Sequence, residues 1–291
     1  MRRTVITIGN FDGLHRGHQR VISELKRIAK KKNLVPVVLT FLPTKYSSTL
    51  LMSGEGKKEL LKKWNIKMYS LNPEDIFHLS AEEFVRDTLV KKFNPEYVVI
   101  GEKFRFGYLR RGDVSALKKL GEKYNFQVRT VPLLKNNKEN ISSSNIRKLL
   151  KKGKMEEVNN LLGRPYEISG RVILGDGRGS KLGFPTANLG VNSGLLLPRG
   201  VFITKVLKNG HQYQGIVNIG AQPTFSTQNY KTNIETHLFS YRGNLYQKEL
   251  TLLLLKKIRE EKKFFTPSDL KKQIEKDILQ TKNFFQGGSE L

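Results

Sequence analysis

Between a β-like run, Thr4-Val5-Ile6-Thr7-Ile8, and a helix-like run over residues 19–32, the chain reads Gly9-Asn10-Phe11-Asp12-Gly13-Leu14-His15-Arg16-Gly17-His18. A strand, a glycine-rich turn and a helix start together form a phosphate-binding device. Glycine lets the backbone approach a ligand, and a helix N-terminus offers unpaired N–H groups and the positive end of its dipole. His15 and His18 stand three apart where the helix should begin. At that spacing they share one face, so both imidazoles can reach the same phosphate.

The first half repeats the same alternation. Residues 34–41, 97–101 and 126–131 are apolar runs suited to buried parallel strands. Between them, Leu60, Leu61 and Trp64 give a short helical face. Ser80-Ala81-Glu82-Glu83 is a capping box opening a helix with Phe84, Leu89 and Val90 inward. Leu117 and Leu120 belong to a helix starting near Asp113. Alternating strands and helices predict an α/β domain with a mostly parallel sheet, whose ligands bind beyond the carboxyl ends of the strands. The 9–18 turn lies at that edge.

Two further segments fall there. Gly101-Glu102-Lys103-Phe104-Arg105-Phe106-Gly107 alternates aromatics with arginine, which suits stacking on a planar ring and pairing with phosphate, or else a buried Phe pair beside a solvated Arg. Ile141-Ser142-Ser143-Ser144-Asn145-Ile146-Arg147 places hydroxyls at a helix start, where they cap the helix and are also able to hold phosphate oxygens.

At 291 residues the chain has room for two domains. It has no cysteine, which excludes disulfide scaffolds, thiol nucleophiles and Cys-ligated metal sites. With five histidines in all, an all-His metal site is not expected. The N-terminal apolar run soon reaches Asp12 and does not read as a signal peptide. The longest apolar cluster, residues 250–255, is too short to span a bilayer, so no membrane association and a cytoplasmic setting are expected. The net charge of +26 is spread over pairs and triplets such as Lys30-Lys31-Lys32, Lys57-Lys58 and Lys262-Lys263. This reads as a solvated surface first, as attraction for phosphate-rich small substrates second, and as a nucleic-acid footprint last. Nothing in the sequence indicates an oligomer.

A short helix over residues 151–162 ends at Gly163-Arg164-Pro165, where the pattern changes. The boundary is placed there, giving domains 1–162 and 163–291. Strand-like runs follow at residues 166–174, 201–207, 214–219, 232–239 and 250–255, separated by Gly and Pro turns, and predict an antiparallel barrel. Thr266-Pro267-Ser268-Asp269 opens a last helix with Leu270, Ile274, Ile278 and Leu279 as its apolar face. Within this half, Gly175-Asp176-Gly177-Arg178-Gly179-Ser180-Lys181-Leu182-Gly183-Phe184-Pro185-Thr186-Ala187-Asn188 is rich enough in glycine to wrap phosphate with backbone N–H groups. It has neither a Walker A ending nor the GxGxxG spacing. Thr186 and Asn188 put a hydroxyl and an amide on one side of an extended chain, a donor set that suits Mg²⁺ shared with ATP phosphates.

The His-x-Gly-His turn resembles the nucleotidyltransferase signature. Its Gly-x-Phe-Asp-Gly-x-His-x-Gly-His form resembles that of the bacterial bifunctional riboflavin kinase/FAD synthetase family. The 101–107 segment is similar to that family's Gly-x-Asp-Phe-x-Phe-Gly segment, and Ser142-Ser143 through Arg147 to its Ser-Ser-x-x-Ile-Arg motif. The 175–188 run closely resembles its riboflavin kinase signature. So do Leu197 to Phe202, Asn218-Ile219-Gly220 with Pro223-Thr224-Phe225, Glu235-Thr236-His237-Leu238, and Arg259 to Phe264. Three positions depart from the pattern. Lys103 stands where an acidic or amide residue is usual, Pro43-Thr44-Lys45 replaces a Pro-His-Pro, and Ser180 replaces a common Arg.

The resemblance implies two reactions. ATP phosphorylates riboflavin to FMN in the barrel, and a second ATP adenylylates FMN to FAD, releasing pyrophosphate, in the α/β domain. For the kinase it implies Glu235 as the catalytic carboxylate and Thr186 and Asn188 as Mg²⁺ and phosphate ligands. Gly175, Gly177, Gly179, Lys181, Gly183 and Pro185 would surround ATP, with Arg259 at the flavin. For the adenylyltransferase it implies His15 and His18 as charge-stabilising residues. Gly9, Phe11, Asp12 and Gly17 would bind ATP, Ser142, Ser143 and Arg147 would hold its phosphates, and Phe104 or Arg105 would meet the flavin. The rival expectation, motivated by Lys103 and Thr44, is a monofunctional riboflavin kinase with a weakened first lobe. A nucleic-acid-binding regulator is the second rival.

Overall fold

Thr4–Ile8 forms β1, and every residue from Val5 to Ile8 is buried. It is the central strand of the first of two compact units, Met1–Ser143 and Ser144–Leu291. The structure, a computed structural model, describes residues 3–42, 49–136, 139–175, 177–191, 194–222 and 231–288.

In the first unit β1 is followed by α1 (Arg16–Lys32), β2 (Val35–Phe41), α2 (Gly54–Lys63) and β3 (Lys67–Leu71). A helix then runs from α3 (Ala81–Glu83) through a π-helical stretch, Phe84–Val90, to α4 (Lys91–Phe93). β4 (Pro95–Gly101), α5 (Val114–Lys123) and β5 (Gln127–Val131) complete the sheet. All neighbouring strands are parallel, in the order β3-β2-β1-β4-β5. The alternate residues of β1 explain why its sequence is apolar throughout. Val5 joins one core layer with Ile22 and Leu25 of α1, while Ile6 and Ile8 join the other with Phe84, Leu89 and Leu117. The chain order reverses on either side of β1, so the loop leaving β1 sits at the switch point where such sheets bind ligands.

The local signals hold at most element ends. Ser80 and Glu83 make the expected capping box, and Asp113 caps α5 through the Ala116 N–H at 2.9 Å. The first helix starts at Arg16, three residues before the patterned run. The strand β3 carries no sequence signal. It is an edge strand in which only Leu71 is buried, so its apolar alternation is weak.

A short hairpin, β6 (Lys135–Asn136) with β7 (Glu139–Asn140), leads to α6 (Ser143–Lys151) and α7 (Met155–Leu162). The helix expected to start at the serine run is α6, and the helix expected over 151–162 is α7, which begins only at Met155. Gly153, at φ 70°, breaks the path between them, and Gly163, also at φ 70°, ends α7. The division between units falls at Ser143/Ser144, so α7 belongs with the barrel, packing on its strands.

That barrel comprises β8 (Tyr166–Ile173), β9 (Ala187–Gly190), β10 (Gly200–Lys208), β11 (His211–Gln222), β12 (Lys231–Leu238) and β13 (Glu249–Arg259), with the helical turn α8 (Arg178–Lys181) after β8. It is closed and antiparallel in the order β10-β11-β12-β9-β8-β13. The strand β9, which begins at the end of the glycine-rich motif, is not among the expected strands. The last helix, α9 (Pro267–Gln286), is capped by Thr266, which accepts the Asp269 N–H at 3.1 Å. Its inner face differs from the expectation. Leu279 is 61% exposed, whereas Asp277 and Thr281 are buried. Positions two apart on a helix point to different sides, and the inward place is taken by the ion pair of Asp277 with Arg259 at 2.8 Å.

Asn159 fastens α7 to the barrel. Its Nδ2 donates to the Leu254 carbonyl at 2.8 Å, and its Oδ1 accepts the Tyr166 N–H at 2.9 Å. All of these atoms are buried. Asn159→Ala removes both of these buried hydrogen bonds, which costs about 2–4 kcal/mol. Denaturant unfolding of the variant is expected to show that loss.

Candidate active sites

The 9–18 turn is a strained loop held from several sides. Phe11 (φ 45°), Gly13 (φ 76°) and Leu14 (φ 43°) all occupy the left-handed region. For Phe and Leu this costs about 1 kcal/mol or more each and persists only where the surroundings enforce it. Here they do. The buried Asp12 carboxylate accepts the Leu51 N–H at 2.9 Å, and the Asp12 carbonyl accepts the Ser143 hydroxyl at 3.0 Å. The Thr40 hydroxyl donates to the Asn10 carbonyl at 3.1 Å.

The turn delivers the two histidines as a stacked pair, 3.6 Å between ring centroids and 17° between planes. His15 is the N-cap of α1, and its Nδ1 accepts the His18 N–H at 3.3 Å. An imidazole that accepts at Nδ1 carries its proton on Nε2 when neutral. The Phe11 ring meets His18 edge-on at 5.1 Å. The His18 Nδ1 atom is shut off from solvent and has no partner among the described residues. Burial, then the positive ends of His15 and Lys57, hold the His18 imidazole well below its ordinary pKa. At neutral pH His18 is an uncharged hydrogen-bonding group at the start of a helix.

Lys57 was assigned above to the solvated surface, and the structure corrects this. It is 9% exposed, and its ammonium donates to the Asn10 carbonyl at 2.6 Å and the Thr40 hydroxyl at 3.1 Å. Burial lowers its pKa, partly offset by the Asp12 carboxylate. A Lys-Lys pair on a short helix gives no sign of which lysine turns inward.

On the same sheet edge a cavity of about 750 Å³ is lined by Gly9, Asn10, Phe41, Phe77, Lys103, Phe104, Arg105, Tyr108 and Arg110, among others. The structure thus brings the 101–107 segment and the start of the histidine turn to one cavity. Its walls are aromatic and its charges are cationic, with no carboxylate in the lining. Phe104 and Phe106 stack at 5.6 Å, with Phe106 buried and Arg105 exposed. The Phe pair beside an exposed Arg is thus present, and all three residues line the cavity. Gly107 has φ 71°, and a Cβ there would meet the Ala81 backbone at 2.7 Å, so this corner of the cavity requires glycine. Arg147 lies on α6, one turn beyond Ser143.

In the barrel, strand register assembles the second site. Glu235 of β12 stands directly opposite Asn188 of β9 on one side and Asn218 of β11 on the other. The Asn233 amide donates to the Glu235 carboxylate at 2.6 Å. The glycine-rich loop folds over this row. A Cβ at Gly175 would strike the Asn188 amide, and one at Gly179 would approach the Thr186 hydroxyl at 2.9 Å. Gly177 (φ 65°) and Gly183 (φ 90°) turn the loop around α8, which carries Lys181. A cavity of about 280 Å³ is lined by Gly175, Gly177, Pro185, Thr186 and Asn188, with Tyr246 opposite. Glu235 does not line it. Arg259 is gripped by Asp277 through Nε and Nη2. Thr44 with Pro43 and Lys45, Asp176, and Pro223-Thr224-Phe225 lie outside the described residues.

Comparison with known proteins shows which family the chain belongs to. The FAD synthetase family model matches residues 1–145 and the riboflavin kinase family model residues 162–285. The bifunctional riboflavin kinase/FMN adenylyltransferase of Buchnera aphidicola subsp. Schizaphis graminum is 40% identical, over 97% of this chain and 94% of its own. That of Escherichia coli K12 is 34% identical, over 97% and 92%. The chain belongs to the bifunctional riboflavin kinase/FMN adenylyltransferase family. Its reactions are phosphorylation of riboflavin to FMN and adenylylation of FMN to FAD, both with ATP. A crystal structure titled macrolide-efflux protein, from Streptococcus pneumoniae, has the same fold, with TM-score 0.87 and 27% identity over 97% of this chain and 94% of that one. No helix among the described residues is long and apolar enough to cross a membrane.

The depressed His18 pKa makes a testable demand on stability. The unfolded chain protonates this imidazole near pH 6.5, whereas the folded chain resists, so the unfolded state binds more protons as pH falls below that value. Stability is therefore lost on acidification through that range. His18→Gln removes this contribution. The difference in melting temperature between pH 7.5 and pH 5.5 is expected to be smaller in the variant than in the parent.

Proposed function

We propose that His15 and His18 carry adenylyl transfer and that Glu235, Thr186 and Asn188 carry riboflavin phosphorylation. The observation that supports this most directly is that His15 and His18 lie in one compact unit and Glu235, Thr186 and Asn188 in the other.

In the α/β unit an oxygen of the FMN phosphate attacks the α-phosphorus of ATP, and the bond to the bridging oxygen of pyrophosphate breaks. The nucleophile is already ionised, so no general base is required. The site must stabilise charge as the five-coordinate centre forms. Uncharged His18 offers an N–H group there without the desolvation cost of a buried cation, and His15 is stacked on it. Gly9, Phe11, Asp12 and Gly17 shape the nucleotide side, and Ser142, Ser143 and Arg147 hold the outgoing phosphates. The aromatic cavity with Phe104 and Arg105 takes the flavin, and Lys103 adds a cation to its wall.

In the barrel Glu235 accepts the proton of the riboflavin 5′-hydroxyl as that oxygen attacks the γ-phosphorus and ADP leaves. Asn233 fixes the carboxylate that performs this step. Thr186 and Asn188 present neutral oxygens against glycine backbone. No cluster of three acidic or imidazole groups occurs among the described residues. That donor set fits Mg²⁺, which keeps most of its coordination for water and phosphates. Thr186 and Asn188 would hold it with ATP, where it supplies charge neutralisation. Gly175, Gly177, Gly179, Lys181, Gly183 and Pro185 enclose the nucleotide, and Arg259, oriented by Asp277, serves the flavin end.

We assign residues 1–162 to adenylyl transfer and 163–291 to phosphorylation. The start of the riboflavin kinase match at residue 162 supports this line, whereas by packing the compact units divide at Ser143/Ser144 and α7 goes with the barrel. The basic surface serves phosphate-rich substrates and solvation rather than nucleic acid, in a cytoplasmic setting without a membrane partner.

The two assignments separate by mutation. His18→Ala is expected to lower FAD formation from FMN by about 100-fold or more while FMN formation continues. Glu235→Ala is expected to abolish FMN formation while supplied FMN is still adenylylated. Chromatography of products from riboflavin, ATP and Mg²⁺ resolves the two, and an equal loss of both activities in either variant contradicts the assignment.

A further inference from the structure

The buried ammonium of Lys57 has no place in the chemistry above. It sits in the first turn of α2, where the helix dipole disfavours a cation, and it is removed from water, where a charge loses its solvation. A methionine of similar length would pack there without either penalty. What the lysine has instead is geometry. Its Nζ, the Thr40 hydroxyl and the Asn10 carbonyl form a closed triangle of hydrogen bonds, 2.6, 3.1 and 3.1 Å. Asn10 is the residue at which the chain leaves the sheet edge for the left-handed Phe11, and it also lines the aromatic cavity. Asp12, one step beyond Phe11, is close enough for its carboxylate to favour the Lys57 charge.

We propose that Lys57 is a positioning residue for FMN adenylyl transfer, whose ammonium clamps the Asn10 carbonyl to Thr40 and so holds the strained 9–18 turn with its stacked histidines in the reactive arrangement. A turn with two bulky residues at positive φ relaxes when its restraints are removed. The Asp12 bonds restrain its middle, and the Lys57 clamp restrains its start. The inference rests on the assignment of adenylyl transfer to His15 and His18.

The test uses the full chain with Lys57→Met and Lys57→Arg, and His18→Ala assayed alongside. FAD formation from FMN, ATP and Mg²⁺ gives kcat and KM, and riboflavin phosphorylation in the same samples reports the integrity of the other unit. Misplaced catalytic groups cost turnover, so Lys57→Met is expected to lose about 100-fold in kcat, with KM for FMN and ATP changed by less than about threefold. Lys57→Arg keeps a charged donor and is expected to recover about tenfold of that loss. Riboflavin phosphorylation is expected to be unchanged in both. An unaltered kcat in Lys57→Met, a loss confined to KM, or no recovery with arginine overturns the proposal, provided His18→Ala abolishes the reaction. If His18→Ala remains active, the underlying site assignment fails instead. Should Lys57→Met not fold, Thr40→Val removes one of the two acceptors at constant shape. A kcat drop of about tenfold at unchanged KM supports the clamp, and an unchanged kcat refutes it.

Discussion

A short left-handed turn of bulky residues, wedged between the buried end of β1 and the start of α1, is the constraint on which the α/β unit depends. Phe11 and Leu14 do not adopt positive φ willingly. They are held there because Phe11 and Leu14 are themselves buried in the core layer shared with α1, and because Asp12 and Asn10 are pinned by the chain around them. The same burial that strains the turn brings two imidazoles into a stack and strips one nitrogen of solvent. Core packing and active-site electrostatics are here one arrangement.

The barrel reaches its site by a different route. Its chemistry-bearing residues are placed by strand register, which sets Asn188, Glu235 and Asn218 side by side across three neighbouring strands. A slip of one residue in β9 would send Asn188 to the other face. Glycines at 175 and 179 let the loop lie directly on Asn188 and Thr186, since any side chain there would displace them. The α/β site thus relies on a strained turn, and the barrel site on regular pairing covered by a permissive loop.

Much of this was legible in residue order. Apolar runs marked four of the five parallel strands, and caps at Ser80, Asp113 and Thr266 marked helix starts, because these signals are local. The strand β3 escaped notice because an edge strand buries too little to need an apolar pattern. The strand β9 escaped because it is four residues long and begins inside a motif read for its glycines. The helix expected over 151–162 begins only at Met155, since the φ of Gly153 is set by the path the chain must take and not by its neighbours' composition.

The sequence alone determined the two-part α/β and barrel plan and the position of the glycine-rich motifs. Periodicity, capping and short glycine patterns are written in adjacent residues. Only the tertiary structure decided which lysine of a pair is buried, that Arg259 faces Asp277, that Leu279 is exposed, that the histidines stack, and that the start of their turn lines an aromatic, cationic cavity. Those facts depend on residues tens of positions apart meeting in space. Burial, charge pairing and pKa arise from that meeting, and no local pattern encodes them.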